Sequence, residues 1–219
     1  WLGARRFSGD VRKRTSDAGV ATGLAYTTAG GDVLFIEATA YPGQGKLTIT
    51  GQLGDVMQES AQAALSWVRS HTAEMGLADD WFASHDLHIH VPAGAVPKDG
   101  PSAGVTMATA IASLVRNEPV AEDVGMTGEI TLTGQVLPIG GLREKSLAAQ
   151  RAGLKRVIFP RENEPDLDEL PPEARAAIEF IPVDTIEEVF AAAFDGKRRA
   201  RPRAARGIER QAAKPAGSS

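Results

Sequence analysis

The chain has 219 residues, 42% hydrophobic and 24% charged, which is the balance of an ordinary globular protein with enough length for one substantial core. It contains no cysteine and no apolar run of membrane-spanning length, excluding disulfides, thiolate metal sites, a cysteine nucleophile and a transmembrane helix. The formal charge of −4 is unevenly spread: from Lys197 onward there are eight Lys/Arg and one acid, so the preceding body is acidic and ill suited to binding DNA.

In chain order, residues 1–18 are polar and basic without a clear period, and with no starting methionine they read as a linker. Residues 23–28 and 32–40 are β-rich runs joined through Gly30-Gly31, a hairpin signal, and residues 46–50 form a third short strand. The preceding PGQGKLT lacks the G-x-x-x-x-G-K-[ST] spacing and opens no helix, so no nucleotide site is expected there. Residues 55–74 predict a helix with Met57, Ala61, Ala64, Leu65 and Val68 in one stripe, closed by Gly76. The strand DLHIHV then sets His88 and His90 on one face. With His85 they raise a zinc reading, but no carboxylate or fourth ligand has suitable spacing, and no metal is expected.

A loop rich in proline and glycine follows, and a helix is predicted from Ser102, with Val105, Ala108, Thr109, Ala112, Leu114 and Val115 as its apolar side. Pro101, Ser102, Ala103 and Gly104 put a hydroxyl among small residues at a helix N-terminus. Unpaired N–H groups and the positive dipole end there suit a developing oxyanion. The plainer reading makes Ser102 an N-cap. Residues 100–104 also match G-x-S-x-G, but that nucleophile elbow needs its histidine after the serine. His71, His85, His88 and His90 all precede Ser102, so the elbow is excluded.

Asn117-Glu118-Pro119 is a break, after which residues 124–132 and 135–139 read as a hairpin through Thr133-Gly134. Gly140-Gly141 opens a helix over 142–152, closed by Gly153. A strand (155–160), an acidic loop (162–172), a short helix (173–178) and a strand (180–183) follow. The last helix, 185–194, begins with a Thr185–Glu188 capping box. Strands and helices alternate without repeats, giving one mixed α/β domain of the α+β class. The basic tail, 197–219, lacks apolar periodicity and is expected to be disordered, with contact to nucleic acid as a weaker alternative.

One further residue is out of place. On the 142–152 helix, Arg143, Glu144, Gln150 and Arg151 take the polar side, but Lys145 lies three residues after Leu142 and four before Ala149, on the apolar side. Such a lysine ordinarily snorkels to solvent. The alternative is a partly buried amine whose pKa falls, able to take a serine proton in place of the absent histidine. Sequence spacing leaves open whether Ser102 and Lys145 meet.

PKDGPSAGVTMATAIASL and MTGEITLTGQVLPIGGLREKSLAAQRAG closely resemble the proteolytic domain of the Lon protease family, the ATP-dependent endopeptidase La. The similarity extends through TGLAY, GGDVLFIEA, GKLTITGQLGDVMQES, HIHVPAGAVPKDG, VIFP and IEEVF, over residues 19–194. The resemblance implies a serine–lysine dyad of Ser102 and Lys145, with the Thr127 hydroxyl orienting the amine and backbone N–H groups at Ser102 and Ala103 holding the oxyanion. It places Asp99 in a loop that switches between closed and open forms, and Glu37 near the site. Residues 1–18 become the linker from an upstream ATPase module not seen in this sequence, 19–196 the peptidase domain and 197–219 the tail. ATP and Mg²⁺ would belong to that module, and the peptidase domain itself would need no cofactor. Unfolded or damaged polypeptides as substrates, homohexameric rings and a cytoplasmic, non-membrane setting are likewise implied. The rival expectation is a catalytically inert ring-assembly or binding module of the same fold, and a third is a hydrolase using His88 or His90.

Overall fold

The computed structural model describes residues 15–27, 30–78, 80–92 and 98–194. Strands β1 (Val20–Thr27) and β2 (Gly30–Pro42) form the expected hairpin, antiparallel from Val20 opposite Glu37 to Thr27 opposite Gly30. Side chains alternate across a strand, so β2 sends Leu34, Ile36 and Ala38 into one core and Val33 and Phe35 toward another. Beyond β2, strand β3 (Leu47–Thr50) lies at the edge, parallel to β4 (His85–His90), which is antiparallel to β2. On the far side of β1 come β5 (Val124–Met126), then, past a separate ribbon of β6 (Glu129–Ile130) and β7 (Val136–Leu137), β8 (Arg156–Pro160) and β9 (Glu179–Val183). Strands β1, β5, β8 and β9 run parallel, and the order across the sheet is β3-β4-β2-β1-β5-β8-β9.

Helices cover both faces. Helix α1 (Asp55–Ser70) and α3 (Gly104–Arg116) pack on the face of Ala21, Leu34, Ile36 and Ile89, between them a short α2 (Trp81–Ser84). Helix α4 (Leu142–Ala152) packs its Leu142, Ala149 and Ala152 on the opposite face, against Leu24, Val33 and Phe35. The described residues close with α5 (Pro172–Ala177) and α6 (Ile186–Ala193). Among the described residues no helix is long and apolar enough to cross a membrane.

Several boundaries differ from expectation, each for a local reason. Helix α1 stops at Ser70 instead of residue 74, because His71 Nδ1 lies 2.8 Å from the Trp67 carbonyl and its ring stacks on Trp67 at 4.0 Å. Helix α3 starts at Gly104, and Ser102 sits before it in a 3-10 turn (Pro101–Ala103), so it is not the helix N-cap. Nor has α3 a single apolar side: Gly104 through Ser113 are all buried, and the Gly, Ala, Thr and Ser residues among them are small enough to admit the sheet and α1 at once. The hairpin predicted from 124–132 is split. Thr127 N–H still bonds to Ile158 O in the main sheet, but Gly128 N–H turns away to Ser102 O at 2.9 Å, leaving only β6 to pair with β7. The acidic loop is a 3-10 run (Arg161–Glu169). The capping box is not formed: Thr185 makes no side-chain cap, and Glu188 accepts from the Asp184 N–H instead. The expectations for residues 1–14 and for the tail fall outside the described residues.

Gly31 decides how closely β2 approaches α4, since a Cβ there would lie 1.9 Å from the Glu144 carbonyl oxygen. Backbone cannot yield as a flexible side chain can, so Gly31→Ala should destabilise by about 2 kcal/mol. Gly140→Ala, where a Cβ meets nothing within 4 Å, should stay within about 0.5 kcal/mol of the parent. Urea unfolding of the two variants checks this; equal effects would show that the β2–α4 approach is not a constraint.

Candidate active site

Parallel strand β5 ends at Met126, and the next residue, Thr127, stands where α3 and α4 approach from opposite faces of the sheet. Helix α4 is aimed at this point by Gly141, whose φ of +72° is left-handed and whose Cβ would crowd the Tyr26 ring at 2.9 Å. One turn later Lys145 lies on the sheet side of α4, only 2% exposed. Its Nζ donates to Thr127 Oγ1 at 3.0 Å. Loss of hydration disfavours the ammonium form, and burial pushes the Lys145 amine down to about 8. The snorkelling alternative therefore does not apply.

Thr127 is itself fully buried. Its hydroxyl donates to the Ser102 carbonyl at 3.4 Å, a long bond, and the same carbonyl accepts the Gly128 N–H at 2.9 Å. Lys145, Thr127 and the Ser102 turn are thus one connected set. Among the described residues the amine bonds to Thr127 and not to the Ser102 hydroxyl. Gly104 must be glycine because Ile130 of β6 would lie 2.8 Å from its Cβ. Of the N–H groups in the first turn of α3, that of Val105 is already taken by Gly128 O at 3.1 Å.

Asp99 is engaged elsewhere. Its Oδ1 accepts from Met57 N–H at 3.0 Å and from Gly100 N–H at 2.9 Å. Met57 is the third residue of α1, whose own N-cap, Gly54, has no side chain to offer. Asp99 therefore caps α1 from a distant segment, a carboxylate at the positive end of the helix. Gly54 is required for this: its Cβ would lie 2.3 Å from the Asp99 carboxyl carbon. Gly54 N–H also donates to Lys98 O at 2.8 Å, and Ser60 Oγ to Pro101 O at 3.3 Å. Helix α1 thereby grips the segment leading into Ser102. Gly54, Ser60 and Gly128 were not singled out from sequence; the one available signal was a helix opening on Gly54 without a capping side chain.

Glu37 is half-buried on β2 opposite Val20 and His90, on the sheet face that α4 covers further along. The histidines separate. His85 stacks on Trp81 at 4.4 Å, while His88 Nε2 and His90 Nδ1 both meet Thr50 Oγ1, at 2.8 and 2.7 Å. Among the described residues no group of three or more His, Cys, Asp or Glu is placed to hold a metal ion.

Comparison with known proteins bears on this arrangement. The family model of the Lon protease (S16) C-terminal proteolytic domain matches residues 1–196. The chain is 57% identical over 193 residues to a Lon protease of Chloroflexus aurantiacus, covering 88% of this chain and 23% of that protein. It is 58% identical over 195 residues to Lon protease 4 of Sorangium cellulosum, covering 89% and 24%. With Lon protease 1 of Bacillus subtilis the identity is 53% over 199 residues, covering 91% and 26%. The chain thus spans about a quarter of the length of these relatives.

Lys145 also predicts a pH dependence of stability that needs no activity assay. Its amine sits near 8 in the folded state against 10.5 when unperturbed. Between these values the unfolded chain binds more protons, so stability rises with pH across that window and is flat on either side. The full span corresponds to roughly 3 kcal/mol as an upper bound. Lys145→Met keeps the length and removes the charge. It should be more stable than the parent at pH 7, with the gap closing by about pH 10. A gap independent of pH, read by urea unfolding, would refute the depressed amine.

Proposed function

Since the chain belongs to the Lon protease (S16) C-terminal proteolytic domain family, we propose that it is the peptide-bond-hydrolysing part of a serine endopeptidase, with Ser102 as nucleophile and Lys145 as general base. The observation that carries the assignment is the amine itself. It is buried, depressed to about 8, and fixed by Thr127 within one hydrogen-bonded set that includes the Ser102 turn. An unperturbed lysine near 10.4 would be almost wholly protonated at neutral pH and useless as a base.

In this reading Ser102 Oγ attacks the scissile carbonyl carbon as its proton passes to Lys145 Nζ. Backbone N–H groups at Ser102 and Ala103 stabilise the oxyanion. The resulting ammonium gives its proton to the leaving amine as the C–N bond breaks. Water then attacks the acyl-enzyme, returning one proton to Nζ and thence to Ser102. Asp99, as the cap of α1, and Gly54 hold the segment before the nucleophile. Glu37 is proposed only as a neighbour of the site. The whole protein would act on unfolded or damaged polypeptides in the cytoplasm, as a homohexameric ring, with ATP and Mg²⁺ used by a module outside this chain.

Lys145→Arg tests the base, because guanidinium keeps the charge and much of the reach but does not deprotonate in proteins. Peptidase turnover by a folded Lys145→Arg chain should be lost, as should labelling of Ser102→Ala by a serine-reactive probe. Near-parental turnover by the arginine variant would refute the serine–lysine mechanism. A parent that neither cleaves nor labels would favour the inert assembly module.

Thr127→Val preserves shape and deletes the amine's acceptor. We expect kcat to fall by roughly tenfold or more, about 1.4 kcal/mol in barrier, with the fold intact. Parental activity should rise as pH passes through about 8, following deprotonation of the amine. An unchanged kcat in the valine variant would remove Thr127 from the mechanism.

A further inference from the structure

Helix α3 begins beside Ser102 and runs 13 residues away from it, about 20 Å. At its far end lies a cavity of about 330 Å³, walled by Trp67, Phe190 and Phe194 and bordered by Glu74, Glu118 and Glu187. The aromatic walls are contiguous: Trp67 and Phe190 meet edge-on with centroids 5.7 Å apart, as do Phe190 and Phe194. Arg116 lines the same cavity. Its guanidinium stands 4.8 Å over the Phe194 ring, and its Nε is 3.7 Å from the Glu118 carboxylate. The cavity therefore already displays how it holds a guanidinium, on an aromatic face beside an acid. Among the described residues Glu74 and Glu187 carry no ion pair, so the acidic border exceeds what Arg116 neutralises.

The chain supplies a matching ligand at this place. Phe194, a wall of the cavity, is the last described residue, and the next three lead to Lys197 and the run KRRARPRAAR, six of whose residues are Lys or Arg. Three residues span at most about 10 Å, which keeps the first cations of that run within reach of the border. We propose that the cavity is an arginine-binding site for this chain's own C-terminal segment, residues 197–206, seated between the aromatic walls and the unpaired glutamates. Each exposed pair is weak alone. Tethering makes the encounter intramolecular, with an effective concentration in the millimolar range.

The chain has no cysteine, so Ala204→Cys gives a single attachment point for a nitroxide while leaving every cation in place. The reading is the ¹⁵N–¹H indole signal of Trp67 in the full chain, with Trp81, which does not line the cavity, as the internal reference. The Trp67 signal should be attenuated at least twofold more than that of Trp81. The difference should vanish in 1 M NaCl, where exposed charges are screened within about 3 Å, and in the Glu74→Gln/Glu118→Gln/Glu187→Gln chain. The Trp81 signal reports whether that triple variant is folded. Equal attenuation of the two indoles in the parent overturns the proposal, as does attenuation that survives both salt and the triple substitution. A mixture of ¹⁵N chain without label and labelled ¹⁴N chain should show no effect. Attenuation there would put the segment on a second copy and overturn docking within one chain.

Discussion

Burying Lys145 to 2% exposure strips its amine of most of its hydration, and among the described residues that amine receives one hydrogen-bond acceptor in return, Thr127 Oγ1. A fully hydrogen-bonded or ion-paired lysine would stay protonated; one acceptor and no carboxylate leave the neutral form competitive. The surrounding sheet is what keeps this imbalance in place. Gly31 lets β2 touch the backbone of α4, Gly141 turns the chain tightly over Tyr26 to start that helix, and β5 delivers Thr127 from underneath. Moving any of these by the width of a methyl group would let water reach the amine and return it toward its ordinary value.

The serine side is organised by different means. Ser102 stands in a 3-10 turn whose carbonyl is shared by Gly128 N–H and the Thr127 hydroxyl, so the turn is fastened to the β5–β6 crossover. The segment just before it is fastened to α1, through Asp99 on Met57 N–H and Lys98 O on Gly54 N–H. A helix lacking its own cap and a loop carrying a surplus carboxylate thus complete each other. Asp99 is in this way part of the scaffold around Ser102, bonded to Met57 and Gly100.

The fold class, the first hairpin and the 142–152 helix were legible from Gly punctuation and apolar period, because those signals are local. Lys145 was also visible, as a charge at an apolar helical position. What sequence reading could not supply was any relation across distance. The 124–132 run looks like one strand because nothing in it shows that Gly128 N–H will turn to Ser102, 26 residues earlier in the chain. The apparent one-sidedness of α3 had the same source: its Ala, Gly and Thr residues score as weakly apolar, yet their smallness admits neighbours on every side. Thr185–Glu188 fits a capping box by spacing, but the carboxylate reaches the Asp184 N–H instead. That Asp99 caps α1 beside Gly54 joins two segments whose sequences show no sign of meeting.

Strand β1 joins its parallel neighbour β5 through Gly23 and Met126, with β2, β3, β4, α1, α2 and α3 intervening in sequence. During synthesis the first half of the sheet can assemble as a hairpin-based unit, whereas β5 can take its place only after residue 126 has emerged, and α4 only later still. Such long-range parallel pairing is intrinsically slow to form. Ser102 is therefore made well before the amine that would activate it is in position. On the serine–lysine reading, a growing chain would carry the hydroxyl without its base until the sheet has closed, and would become competent only as it completes its own fold.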